Sequence, residues 1–319
     1  MINESLVREA SERMEAITAN ICKVMYGKDE QVRLVVMALA ADGHVLLEDV
    51  PGTGKTSLVS ALAASIDSSF KRIQFTPDVM PSDVTGFSVF NQKTQEFEFR
   101  PGGVMSNIVL ADEINRASAK TQSALLEAME ERQVTVDSQT FTLPSPFMVL
   151  ATQNPIEQYG TYPLPEAQID RFLIKLSLGY PEFSQELKVL KRRPEDKTSL
   201  GAVANGGDVV KLRAAVQDVH VSDDVYVYIQ EIVTATRNHP DVLLGSSTRG
   251  GIALVAMAKA YALMQGRGYV RPEDVKYVAD YTLAHRIQLG HEARVKGIDE
   301  HGVIADILGS IAVPVSAGE

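Results

Sequence analysis

No stretch of this 319-residue sequence approaches the roughly 18 consecutive apolar residues that a membrane span requires. The best candidate, 252–264, is interrupted by Lys259, so no helical membrane span is expected. Cysteine is nearly absent: Cys22 stands alone and cannot form an internal disulfide. The first residues, Met-Ile-Asn-Glu-Ser-Leu-Val-Arg-Glu, carry acids where a secretory leader would have a basic stub and an apolar run. A cytoplasmic location is therefore expected. Positive charge is in deficit, with 31 Lys and Arg against 41 Asp and Glu and a formal net charge of -10. Affinity resting on a broad phosphate-backbone footprint needs clustered cations, so nucleic acid is not the expected partner. Internal repeats and low-complexity tracts are missing as well.

What is present is ordinary in bulk and specific in pattern. Hydrophobic residues make up 45% and charged residues 23%, enough apolar content for a sizeable core. The length suggests about two domains. Val32, Val35, Val36 and Leu39 mark one face of a helix over 29–41. A short apolar run, His44-Val45-Leu46-Leu47, follows, and then Leu58, Val59, Leu62, Ala63 and Ile66 recur at helical spacing. Runs at 72–75, 108–111, 148–151 and 172–176 bring the expected strands to five. Those at 108–111 and 148–151 are apolar on both faces, as strands buried in a parallel sheet are. A helix is expected over 118–131 from Leu125, Leu126 and Met129. The alternation predicts an α/β core over 1–180.

Two segments interrupt it. Residues 77–106 place Phe87, Phe90, Phe97 and Phe99 around a polar turn at 91–95, a hairpin-like insert. Residues 133–143 read as a second hairpin turning at Asp137-Ser138. The aromatic and apolar side chains of both are expected to pack on the core. Beyond 179–181 the texture changes. A loop is predicted over 194–208, then helices over 222–238, 249–264 and from Pro272 to about Leu289. Residues 181–319 read as a smaller, all-helical domain.

The junction between the first strand and the next helix reads Glu48-Asp49-Val50-Pro51-Gly52-Thr53-Gly54-Lys55-Thr56-Ser57. Gly52 and Gly54 let backbone N–H groups converge on anionic oxygens, and the following helix adds its N-terminal donors. Lys55 is placed for the β- and γ-phosphates, and the Thr56 hydroxyl for Mg²⁺. Pro51 has no N–H and only shapes the loop. Asp49 stands where the phosphate-loop pattern has glycine. Its charge would repel phosphate, so its side chain is expected to point away. The strand 108–111 ends in Asp112-Glu113. Strand alternation would turn Asp112 to the metal and Glu113 to a water beside the γ-phosphate. Asn154, beyond the strand 148–151, could hold that water or the γ-phosphate. Arg171 precedes a strand and so sits at the edge opposite the phosphate loop. It is either a finger toward a neighbouring subunit or the partner of Asp170 or Glu166. Arg249 opens a helix of the second domain, where a cation is unfavourable unless something holds it, such as a phosphate reached across the domain gap. The pair Gly250-Gly251 follows, with close packing as its only evident reason.

These motifs closely resemble the MoxR family of AAA+ ATPases: Walker A at 51–56, Walker B at 110–113, sensor 1 at Asn154, the finger at Arg171 and sensor 2 at Arg249. Longer runs are more specific, including LADEINRA at 110–117, KTQSALLEAMEERQVTV at 120–136, ATQNPIEQ at 151–158, TYPLPEAQ at 161–168 and DRF at 170–172. The resemblance covers most of 20–290. It implies a Rossmann-like parallel five-stranded αβα core over 1–180 and a helical lid over 181–319. It also names 77–104 as the helix-2 insert and 133–143 as the hairpin before sensor 1. The implied nucleotide set is Tyr26, Gly27, Gly52, Thr53, Gly54, Lys55, Thr56 and Ser57, with Tyr26 and Gly27 near the adenine. Thr56 and Asp112 would hold the metal, and Glu113, Asn154, Arg171 and Arg249 would serve hydrolysis. The resemblance further implies ATP/ADP and Mg²⁺ as cofactors and a homo-oligomeric ring of six. Partners would be von Willebrand factor A domain proteins, with chaperone-like remodelling of a client the sequence does not identify. Asp49, Lys28 in place of a more usual glutamine, and Thr248-Arg249-Gly250-Gly251 depart from the family pattern. A DNA-acting motor and a nucleotide-switched scaffold with little turnover are the alternative readings.

Overall fold

The computed structural model describes residues 2–154, 161–191 and 200–314. Residues 155–158 of the ATPases' sensor 1 run and 194–199 of the predicted loop lie outside the described residues. Two helices, Glu4–Cys22 (α1) and Asp29–Ala40 (α2), precede the first strand, Val45–Glu48 (β1). Lys55–Ser65 (α3) leads to Phe70–Gln74 (β2), and Pro81–Thr85 (α4) to the hairpin Gly86–Asn91 (β3) and Glu96–Pro101 (β4). Next come Ile108–Asp112 (β5), Ala119–Glu131 (α5) and the hairpin Gln133–Val136 (β6) and Gln139–Thr142 (β7). Met148–Gln153 (β8), Glu166–Ile169 (α6) and Ile174–Leu176 (β9) follow. The remainder comprises Phe183–Lys191 (α7), Gly206–Gln217 (α8), Asp223–Asn238 (α9), Val242–Leu244 (β10), Thr248–Met264 (α10), Pro272–Leu283 (α11), Gln288–Leu289 (β11), His291–Val295 (α12) and Glu300–Ser310 (α13).

The five predicted strands form one parallel sheet in the order β2-β5-β8-β1-β9. Side chains alternate across it. Val45, Leu47, Ile108, Leu110, Met148 and Leu150 face α1–α3. Leu46, Val109, Ala111, Val149 and Ala151 face α5 and the two inserts. Burial on both sides explains why these strands read as unbroken apolar runs. The first of the two cores continues into the C-terminal helices through Leu212, Ile229, Leu254, Met257 and Val275. Those helices therefore dock on the α1–α3 side of the sheet.

Several elements differ from their sequence reading. Helix α1 was not predicted, although Val7, Ala10, Met14, Ile17 and Ile21 repeat at helical spacing and Asn3 caps it. The predicted loop to 208 overruns the start of α8, because Asn205 and Asp208 form a capping box around Gly206 and Gly207. The helix expected to reach Leu289 stops at Leu283, where 284–286 tighten and β11 pairs with β10. This ribbon is an addition to an otherwise helical region. Three of the four insert phenylalanines do not pack on the core: Phe87, Phe90 and Phe97 are exposed. A two-stranded ribbon offers only its base to the core, so Phe99 alone stacks there, on Phe141 at 3.9 Å, while Phe90 and Phe97 pair near the tip.

Candidate functional site

Between β1 and α3 the backbone adopts positive φ at Gly52 (90°) and Gly54 (93°), a conformation that glycine takes without steric cost. Gly54 is the N-cap of α3 and no side chain caps that helix, leaving its first N–H groups open to an anion. A Cβ at Gly52 would meet nothing within 4 Å, so the space above the loop is a cradle. Lys55 Nζ donates to Asp49 O and Val50 O, both at 2.9 Å. Thr53 Oγ1 donates to Val50 O at 3.4 Å, and Thr56 and Ser57 are exposed on the first turn of α3.

Asp49 turns away from the cradle, as expected. Its Oδ1 accepts from Ser177 Oγ at 2.9 Å and Gly179 N at 3.0 Å, and its Oδ2 from Leu178 N at 2.6 Å. Buried Lys28 meets the same turn with the opposite polarity, donating to Leu178 O at 2.5 Å and Tyr180 O at 3.0 Å. Two of the three departures from the family pattern, Asp49 and Lys28, thus clamp the segment after β9. Met25 Cε lies 3.5 Å from a Cβ built on Gly54, but Tyr26 and Gly27, which follow it, do not line the cleft around the loop. Gly27 has φ 66°, and Gln185 of α7 lies against it.

Asp112 ends β5. Its Oδ1 accepts from Thr152 Oγ1 at 2.7 Å and its Oδ2 from Arg72 Nε at 3.0 Å. Glu113 is not on the strand: it has φ 55° and ψ 49°, and its N–H donates to Thr152 Oγ1 at 2.8 Å. The two acids diverge because of this left-handed turn, which replaces the strand alternation expected from sequence. A non-glycine residue there costs roughly 1–2 kcal/mol. Glu113 Oε2 accepts from Gln74 Nε2 at 2.8 Å and Arg116 Nη1 at 3.0 Å. Arg72, Gln74 and Thr152 were not read as site residues. Their signal was polar side chains at alternate positions near strand ends, but only the strand order puts them beside Asp112 and Glu113.

A cleft of about 350 Å³ joins Gly52, Gly54, Lys55, Thr56, Ser57, Asp112, Glu113 and Asn154, with Arg72 and Thr152 in its wall. A larger groove of about 1420 Å³ beside α1 shares no residue with it. The smaller cleft offers loop amides and the Lys55 ammonium to phosphate oxygens, and the Thr56 hydroxyl and the Asp112 carboxylate to a metal. Among the described residues no three His, Cys, Asp or Glu form a cage of their own. That set suits Mg²⁺, which binds through one or two carboxylates together with substrate phosphates. A magnesium nucleotide fits the residues present.

Arg171 and Arg249 lie elsewhere. Arg171 Nη2 pairs with Glu130 Oε2 at 2.9 Å and Arg249 Nη2 with Glu130 Oε1 at 2.7 Å. Glu130 lies in the last turn of α5, and the adjacent Met129 O lies 3.2 Å from Nε2 of His44, the residue just before β1. The three therefore sit at the edge where strands begin, opposite the cradle. Asp170 and Glu166, the alternative partners of Arg171, are taken by Arg286 Nε at 2.7 Å and Gln288 Nε2 at 2.6 Å. Burial lowers the Arg286 pKa to about 10 against the raising effect of Asp170, which leaves the guanidinium charged at neutral pH. A Cβ on Gly250 would lie 2.0 Å from Ser246 Oγ and 3.1 Å from Arg286 Cδ, whereas Gly251 has room, with its nearest neighbour at 3.6 Å.

A glycine loop at a strand–helix junction, faced by paired acids two strands away, defines a P-loop nucleotide-binding protein. Residues 44–174 match the ATPase family associated with various cellular activities, and 234–307 match the AAA lid domain. The chain is 56% identical over 298 residues to YeaC of Bacillus subtilis, an uncharacterized protein, covering 93% of each. It is 40% identical over 310 residues to the chaperone MoxR1 of Mycobacterium tuberculosis, covering 94% of this chain and 82% of that one. The crystal structure of a Cytophaga hutchinsonii protein superposes with a TM-score of 0.91 at 41% identity, covering 98% of each chain. The chain belongs to the MoxR family of AAA+ ATPases. No helix among the described residues is long and apolar enough to cross a membrane.

Proposed function

We propose that this chain hydrolyses ATP with Mg²⁺ and uses the turnover for chaperone-like remodelling or maturation of partner proteins in the cytoplasm. The observation that carries this reading is the single cleft uniting the glycine loop, Lys55, Thr56, Asp112, Glu113 and Asn154. When bound, Mg²⁺ neutralises charge on the β- and γ-phosphates. Lys55, now on its loop carbonyls, would reach the phosphate oxygens, and Thr56 and Asp112, the latter now paired with Arg72, would hold the metal. Glu113 orients the attacking water and accepts its proton, and Asn154 holds the γ-phosphate. Tyr26 and Gly27 border the adenine.

Arg171 and Arg249 pair with Glu130 at the opposite sheet edge, which supports action on the nucleotide of a neighbouring copy. A ring of copies, six by family resemblance, meets that need. We read the core as 1–180 and the lid as 181–319, in keeping with family matches on either side of that boundary. The MoxR1 relative is named a chaperone, which supports the remodelling role. Von Willebrand factor A domain proteins are the expected partners by resemblance.

The test is Glu113→Gln. Removing a general base costs about 10²–10⁴ in rate, so turnover should collapse while ATP affinity, measured by calorimetry with Mg²⁺, stays within about threefold. Undiminished turnover in this variant would refute the assignment.

A further inference from the structure

The two arginines reach one carboxylate by a route that the phosphate cleft does not explain. Their backbones are tied together first. Ser247 Oγ, from the N-cap of α10, donates to Asp170 Oδ2 at 3.1 Å, two residues before Arg249 and one before Arg171. Arg286 fixes the same turn through Asp170 Oδ1, Asp170 O at 3.1 Å and Leu173 O at 3.1 Å. Each guanidinium then gives one Nη2 to a different oxygen of Glu130. Like charges are thereby held side by side on a common counter-ion. A guanidinium has five N–H donors in a planar fork, and Glu130 takes only one nitrogen from each. Arg171 Nε is buried and has no partner.

The side chains of Glu130, Arg171 and Arg249 are 39%, 30% and 46% exposed. Ion pairs this open contribute little to stability, so stability alone does not explain such a convergence. We propose that Glu130 is a positioning residue that gathers Arg171 and Arg249 into one two-pronged cationic site for the triphosphate of a neighbouring copy. This rests on the reading above that both arginines act across an interface. Glu130 touches no substrate. It offsets the mutual repulsion of the two heads and leaves their remaining donors directed at phosphate oxygens, which guanidinium binds in bidentate fashion.

The experiment compares Glu130→Ala, Glu130→Gln, Arg171→Ala and the double variant Glu130→Ala/Arg171→Ala in the full-length assembled protein. For Glu130→Ala we expect kcat to fall about tenfold with KM within about threefold, and assembly and urea midpoint to be unchanged. Glu130→Gln keeps one acceptor and should fall between this variant and the unsubstituted protein. The double variant should lose less than the product of the two single losses, because part of the Glu130 effect runs through Arg171. Unaltered kcat in both Glu130 variants, additive losses in the double variant, or a rate loss that tracks a lowered urea midpoint would each overturn the proposal. Assemblies mixed from Arg171→Ala and Lys55→Ala chains separate the two levels. Recovered activity there together with a fully active Glu130→Ala variant would remove Glu130 alone. Absence of recovery would remove the interface reading itself.

Discussion

Replacing Asp49 by alanine separates a structural role from an electrostatic one at the phosphate loop. The buried carboxylate accepts three hydrogen bonds, two of them from the backbone N–H groups of Leu178 and Gly179. Hydrogen bonds to charged groups contribute roughly 1.5–3 kcal/mol each, and orphaned buried donors cost about 1–3 kcal/mol. Release of a desolvated charge offsets part of that loss. A net destabilisation of about 2–4 kcal/mol follows, read as a urea midpoint lowered at constant slope and a Tm lower by roughly 4–8 °C. ATP affinity should stay within about threefold, since the side chain faces the turn at 177–179 and away from the cradle. The opposite geometry makes the opposite prediction. A carboxylate aimed at a phosphate about 4 Å away would repel it by about 1–4 kcal/mol, so its removal would tighten binding several-fold or more. Tighter ATP binding with an unmoved urea midpoint would refute the assignment of Asp49 as a clamp.

The two adjacent glycines of α10 should respond in opposite ways. Gly250→Ala drives a methyl into Ser246 Oγ and should cost about 1–3 kcal/mol, whereas Gly251→Ala has room and should stabilise by up to about 1 kcal/mol. Equal effects in chemical denaturation would contradict the packing described. Buried His44 has its pKa lowered to about 3 by desolvation first and then by Arg132, and it must be neutral to accept from Val149 N at 2.9 Å. The unfolded chain therefore takes up this proton first. Stability should be unaffected by His44 above about pH 6.5 and fall by about 1.4 kcal/mol per pH unit below it, down to about pH 3. Replacing His44 by glutamine should flatten that limb by one proton, and an unaltered slope would refute it. His285, buried beside Arg286, is depressed in the same direction and adds to the same limb.

Much of the architecture was legible because it is carried by contiguous residues. The five strands announced themselves as apolar runs, and the glycine loop at a strand–helix junction fixes its own backbone through neighbours in the chain. That Lys55, Thr56 and Asp112 lie at the ends of a helix or strand was legible in the same way, and the fold brings them to one cleft. Local patterning failed where side chains from distant segments decide the outcome. Helix α11 was cut short by 284–286, whose Arg286 turns inward to the segment 170–173. The insert phenylalanines looked like core from their spacing, yet a two-stranded ribbon buries only what touches the body of the protein.

The amino-acid sequence by itself determined the phosphate loop and the strand segments, because each arises from backbone geometry or apolar pattern over a few consecutive residues. Tertiary structure alone decided what those groups meet. The clamp on Asp49 lies 128 residues and more along the chain, Arg72 covers Asp112 only because β2 neighbours β5, and Glu130 joins Arg171 to Arg249 across three elements. Strand order and helix docking set those distances, and both follow from burying the two faces of the sheet at once, a constraint that no single segment carries.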